Sequence, residues 1–220
     1  MKGTLLLIFT VVASGSYSQK VTDTTYYPNG KVRSIKWYDM AEAGDKEGTV
    51  GTFKEIGYYE TGFRKYLKRH DELELDVEEI DYYENGQASF TCRLEDNNKK
   101  GEVLGYHENG DFAYHYYYVD GQRQGESVSY YENGILKQKY LWEAGKMHGQ
   151  FVEYYDNGQV EKIGNMVQNQ KDGIYKEFHR NGRLKLECVY KEGRFHGECK
   201  EYDEDGQLSK TTLYVLGKMK

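Results

Sequence analysis

Gly125-Glu-Ser-Val-Ser-Tyr-Tyr-Glu-Asn133-Gly134-Ile-Leu-Lys-Gln-Lys-Tyr-Leu-Trp142 is two runs rich in aromatic and aliphatic residues around an Asn-Gly pair. Asn-Gly in that setting is the strongest short-range hairpin signal, because a two-residue type I′ turn needs positive φ at both central positions. The register that follows puts Tyr131 opposite Leu136 and Ser127 opposite Tyr140. The phrase recurs along the chain. Its turn glycines are Gly30, Gly62, Gly86, Gly110, Gly134, Gly158, Gly182 and Gly206, with 24 residues between neighbours after Gly62. A constant period of that size marks a repeat array.

The link between hairpins is as regular as the turn. Asn97, Gly121, Gly145, Asn169, Gly193 and Gly217 share one slot, and only Gly or Asn occurs there. That choice is expected where the backbone is left-handed. The simplest register across the links sets Trp142 opposite Gly149, Leu94 opposite Gly101, Tyr118 opposite Gly125, Met166 opposite Gly173 and Tyr190 opposite Gly197. A large side chain over a bare glycine is a known way of rescuing glycine in a strand. No 3.6-residue pattern survives these glycines, which excludes a helical repeat. The expectation is an all-β fold: an elongated antiparallel β-meander of about eight stacked β-hairpins, 16 strands spanning roughly 70–80 Å at the usual strand spacing. The longer step from Gly30 to Gly62 points to a loop at Asp39 to Gly51, and the link at Asp71 to Glu79 lacks its glycines.

Composition agrees with a thin sheet. The 220 residues include 25 Gly, 23 Tyr and one Pro, and only 38 % are hydrophobic. Mean hydropathy is −0.90. Tyrosines cover a sheet well, since they bury a ring and keep a wet hydroxyl. Net charge is −6 with no basic block, which argues against nucleic acid as a partner.

The first 18 residues read as a signal peptide, with 19–220 as the repeat array. Lys2 supplies the basic start, Leu5 to Ala13 the apolar stretch, and Ser16 and Ser18 the small residues before a cut at Gln19. The expected location is therefore exported: periplasmic, cell-surface or secreted.

Candidate sites follow from the repeat. Tyr26, Tyr58, Tyr82, Tyr106, Tyr130, Tyr154, Phe178 and Tyr202 stand four residues before the turn glycines and form a ladder. An acidic row, Glu60, Glu84, Glu108, Glu132, Asp156 and Glu204, is broken by Arg180. Its members are about 10 Å apart, too far to share one ion. His148 and His196 are about 19 Å apart, too far to share a metal, whereas His107 and His179 replace repeat tyrosines. No catalytic signature, phosphate-binding loop or metal-ligand spacing is present, so neither an enzyme nor a cofactor is expected. The rings in excess of the repeat's needs are Tyr114, Tyr116, Tyr117, Tyr118, Tyr140 and Trp142, the candidate partner-binding residues. Cys188 and Cys199 fall opposite one another across the Gly193 link, as either a disulfide or two buried thiols, whereas Cys92 faces Val103.

The unit Gly145-Lys-Met-His-Gly149 through Tyr154-Tyr-Asp-Asn157-Gly158 resembles the MORN-repeat variant family, over about residues 22–220. The resemblance implies hairpins stacked side by side. It also implies association with proteins or membranes, and members are often labelled antitoxins of toxin–antitoxin pairs. An export signal departs from a cytosolic antitoxin. The leading expectation is a non-enzymatic exported scaffold that binds a protein through an extended sheet. The alternatives are an envelope module for glycan or lipid headgroups, or an antitoxin-like protein neutralising a toxin. Exposed terminal strands make edge-mediated self-association a further expectation.

Overall fold

The computed structural model describes residues 5–13, 16–40, 50–70, 77–95 and 100–220. They form strands and turns, with no helix among the described residues. The chain divides into two compact units, Met1–Gly110 and Asp111–Lys220.

The first unit holds β1 (Leu5–Ala13), β2 (Ser16–Tyr26), β3 (Val32–Met40), β4 (Val50–Tyr58), β5 (Arg64–His70), β6 (Val77–Tyr82), β7 (Ala88–Glu95) and β8 (Lys100–Tyr106). Each strand pairs antiparallel with the next. The apolar stretch assigned to the signal peptide is β1, laid along β2. Of the expected Asp39–Gly51 loop, Asp39 and Gly51 are strand partners of one another, and residues 41–49 lie outside the described residues. Val77–Glu79 of the glycine-poor link is strand, and 71–76 lie outside the described residues.

The second unit holds β9 (Phe112–Val119), β10 (Gln122–Tyr130), β11 (Leu136–Glu143), β12 (Lys146–Met147), β13 (Gly149–Tyr154), β14 (Val160–Val167), β15 (Gln170–Lys171), β16 (Gly173–Phe178), β17 (Leu184–Lys191), β18 (Arg194–Tyr202), β19 (Leu208–Val215) and β20 (Lys218–Met219). It is again an antiparallel meander, with the main strands joined in chain order.

The link slots Gly121, Gly145, Asn169, Gly193 and Gly217 are left-handed as expected, but the Asn-Gly turns are not of the expected type. At the Asn-Gly turn only Gly134 has positive φ, at 78°. The Gly134 amide donates to the Tyr131 carbonyl, and the Tyr131 amide to the Ile135 carbonyl. This is a type I turn closed by a bulged left-handed glycine. The bulge sets Tyr130, not Tyr131, opposite Leu136, while Ser127 faces Tyr140 as expected.

The type I′ turns are in the links instead. Ala144-Gly145, Gln168-Asn169 and Glu192-Gly193 all have positive φ at both positions. These tight links slip the register, so Trp142 faces Met147, Tyr118 faces Arg123, Met166 faces Lys171 and Tyr190 faces Phe195. Of the five expected glycine pairs only Leu94–Gly101 occurs. The other glycines lie under large residues of their own hairpins: Gly125 under Trp142, Gly149 under Met166, Gly173 under Tyr190 and Gly197 under Tyr214. Gly173 has φ 89° and open space where a Cβ would stand, so the backbone and not crowding requires it.

Gly134 likewise has nothing within 4 Å of a built Cβ. Gly134→Ala should therefore lose only the left-handed backbone term, roughly 1–2 kcal/mol, in denaturant unfolding. A loss near zero would contradict the turn assignment.

Candidate functional site

The residue three places before the turn glycine ties one repeat to the next at Tyr27, Tyr59, Tyr83, Tyr131, Tyr155 and His179. In the first unit the hydroxyls of Tyr27, Tyr59 and Tyr83 donate to the carbonyls of Tyr58, Tyr82 and Tyr106, each at 2.8 Å. In the second, Tyr131 donates to Tyr154 and Tyr155 to Phe178, both at 2.8 Å. His179 takes the same slot, with Nε2 at 3.0 Å from the Tyr202 carbonyl. The turn asparagines add a second tie. Asn133 Nδ2 donates to the Asp156 carbonyl while its Oδ1 accepts the Ile135 amide. Asn85, Asn157 and Asn181 repeat both contacts. Asn is thus required for its side chain, not for left-handed φ. At the eighth turn Asp203 and Asp205 replace these donors, and Asp203 Oδ1 accepts two amides of its own turn.

The link side is laced as well. The amides of Gly145, Asn169, Gly193 and Gly217 donate to the carbonyls of Arg123, Met147, Lys171 and Phe195.

One face of the second unit is filled by rings. Tyr140 stacks on Phe151, and contacts continue through Tyr175, Tyr190 and Phe195 to Tyr214, with centroids 4.7–6.3 Å apart. Phe151 and Tyr175 are 4 % and 3 % exposed, so these rings are core. Gly164 makes room between them; a Cβ there would lie 2.9 Å from Phe151. Cys188 and Cys199 are cross-strand partners on this face and are joined as a disulfide, with Cys188 fully buried. Cys92 faces Val103, is free, and burial followed by the Glu79 charge raises its thiol pKa.

Carboxylates and lysines close the ring face. Tyr140 donates to Glu153, which Lys162 meets at 2.7 Å, and Tyr175 donates to Glu177 at 2.6 Å. Burial raises the pKa of Tyr140 and of Tyr175, and the bonded carboxylate adds to it. Burial opposes ionisation of Glu153, yet its Lys162 and Tyr140 hydrogen bonds outweigh it and the pKa is lowered. Lys171 lies 3.5 Å over the Tyr175 ring, and burial lowers its pKa.

The first unit has a groove of 460 Å³ lined by residues that include Tyr59, Tyr66, Glu55, Lys68, Glu79 and Asp81. Its charges largely neutralise one another, with Lys68 at 2.6 Å from Glu79 and Tyr66 donating to Glu55 at 2.7 Å. No group of three or more His, Cys, Asp or Glu side chains able to hold a metal occurs among the described residues.

Five of the six candidate binding residues share the ring face. Tyr114 stacks on Tyr116, and Tyr116 meets Tyr118 edge-on. Trp142 Nε1 donates to Ser127 at 2.7 Å. Arg123, which the sequence reading did not single out, joins the groups: its guanidinium lies 4.0 Å from the Tyr116 ring centre and 5.1 Å from Trp142. Tyr117 is the exception. It faces Gln124 while Tyr118 faces Arg123, and strand alternation puts it on the opposite face. The acidic turn row is partly self-paired, through an ion pair between Arg180 and Asp156.

The MORN repeat variant family matches residues 24–39, 123–144, 147–168, 171–192 and 195–215. No curated protein matches the chain. Among solved structures, a porin-like protein from Bacteroides uniformis ATCC 8492 aligns over 100 % of this chain and 93 % of its own, at 9 % identity and a TM-score of 0.26. A likeness that slight carries no argument about fold or function. No helix among the described residues is long and apolar enough to cross a membrane.

Burial raises the pKa of clamp tyrosines Tyr59, Tyr131 and Tyr155, with nearby carboxylates adding to it. A raised folded-state pKa contributes stability that is full below the ordinary tyrosine value near 10 and lost as the pH climbs through the folded value. Stability should therefore fall above about pH 10. Tyr131→Phe should cost about 1 kcal/mol at neutral pH, since it orphans the Tyr154 carbonyl, and should lessen the alkaline loss. Urea titrations at both pH values check this; an unchanged alkaline loss would contradict the clamp.

Proposed function

We propose that this chain of MORN repeat variants is a non-enzymatic, exported scaffold that binds a protein partner through the ring face of its second unit. The carrying observation is that Tyr114, Tyr116, Tyr118, Tyr140 and Trp142 share one face, with Arg123 set against the rings of Tyr116 and Trp142. Tyrosine, tryptophan and arginine are the residues that dominate protein–protein hot spots. The Trp142 indole, held by Ser127, is a rigid anchor that loses little entropy on binding. The repeat array supports this reading, because each added hairpin extends a surface of many shallow contacts.

Export rests on Lys2, Leu5 to Ala13 and the small residues Ser16 and Ser18. A Cys188–Cys199 bridge suits an oxidising compartment. In exported protein, two thiols rather than a bridge at those positions would count against that location.

The test is affinity capture by the tagged protein from its native envelope fraction, followed by binding measurements on the captured partner. Trp142→Ala should weaken binding by about 2 kcal/mol or more, roughly thirtyfold, in protein with an unchanged circular dichroism spectrum. Tyr117→Ala, on the other face, should leave affinity unchanged. Equal affinity for wild type and Trp142→Ala would remove the ring face from the interface, and capture of nothing would favour a glycan or lipid headgroup.

A further inference from the structure

The other face of the second unit carries an uncovered aliphatic row. Leu141, Ile163, Ile174, Val189 and Leu213 are exposed, Ile174 to 61 % and Leu213 to 47 %. A sheet with an apolar face ordinarily buries it against a second layer, and exposed apolar patches mark interaction sites.

The charges interleaved with that row indicate which layer fits. Lys139, Val152, Ile163, Lys176, Glu187 and Lys200 form one cross-strand line, each the register partner of the next. Register partners point to the same face. On either side of Ile163 the line has opposite signs at equal distance. Lys139 lies two main strands to one side and Glu187 two to the other. At the third strand the line holds Val128 on one side and Lys200, ion-paired with Glu198, on the other, while Glu126, ion-paired with Lys139, stands one row over opposite Leu141. Within one chain Lys139 and Glu187 are about 19 Å apart and do not meet. Glu187 pairs instead with Lys176, at 2.9 Å.

A two-fold axis along β14 at Ile163 brings Lys139 against the partner's Glu187, Glu187 against the partner's Lys139, and Glu126 over the ion pair of the partner's Lys200 and the partner's Glu198. It also lays Leu141 on the partner's Val189 and Ile163 on its own copy. We propose that this face docks a second copy of this chain, as an isologous pair of sheets packed face to face. The paired signs disfavour a strongly basic or acidic partner, which would meet as much repulsion as attraction. Lone surface ion pairs add little, but the Lys139–Glu187 contact and its symmetry copy, closed across a dry interface, fix register and exclude the wrong partner.

The test is sedimentation velocity on the purified full chain as concentration rises. The wild type should reach dimer mass. Ile163→Asp should remain monomeric with an unchanged circular dichroism spectrum. Should that variant misfold, Ile174→Ser at the most exposed position should weaken the dimer instead. Lys139→Glu should weaken dimerisation at least about tenfold, and adding Glu187→Lys should restore most of it. The double variant breaks the pairs within one chain, so only a contact between copies predicts rescue. A wild type that stays monomeric, or a double variant no better than Lys139→Glu, would overturn the proposal. Trp142→Ala should leave the mass unchanged, which keeps this interface separate from the ring face.

Discussion

A tyrosine hydroxyl donated to a carbonyl of the next repeat is the constraint on which the rest of the array depends. Three such bonds run through the first unit, and two, with His179 as a third member, through the second. Each is worth about 0.5–1.5 kcal/mol, a modest amount alone. Their value lies in repetition and place. A single hairpin is marginal in water, and a repeat stands only through its neighbours. The clamp joins turn to turn on one edge of each unit, and in the second unit the link amides do the same on the other. Strand register between those edges is then fixed at both ends.

This requirement accounts for the repeat phrase. The clamp position must hold a donor on a flat ring, hence Tyr or His. The turn asparagine must accept inside its own turn and donate to the next, which Gly or Asp cannot do. The glycine must take positive φ. Asp203 and Asp205, which lack those donors, fold their turn back on itself.

The all-β hairpin array was legible because its period is written in glycines. The turn chemistry was misread for an identifiable reason. Asn-Gly suits two turn types, and the sequence does not show that the Asn133 side chain is engaged by the next repeat. The links hide their type I′ turns because their first residue is mostly Ala144, Gln168, Glu192 or Leu216, none a usual left-handed residue; only Asp120-Gly121 carries the usual signal. The facing of Cys188 and Cys199 was readable from register alone, since the slip confined to the link leaves that pair aligned. The excess rings at Tyr114 to Trp142 were visible as composition, but their sharing of a face was visible only through alternation, which also removes Tyr117. Arg123 was missed although a signal existed: its slot holds Met147, Lys171 and Phe195 in later repeats, a position that always lies against rings. The clamp is not legible in sequence because it stands beside a second aromatic row, the ladder from Tyr26 to Tyr202, and only the backbone path shows that this row's carbonyls accept the bonds.

The most direct test of the clamp is native-state hydrogen exchange on the Tyr131→Phe/Asn133→Ala double variant. The two substitutions remove both donors to the next repeat and leave the accepting Tyr154 and Asp156 carbonyls in place, while Asn133→Ala also takes the acceptor of the Ile135 amide from its own turn. The account predicts faster exchange at the turn that receives the bonds, Tyr154 to Gly158, with protection retained in the first unit. Equal loss of protection throughout the chain, or none at Tyr154 to Gly158, would contradict it.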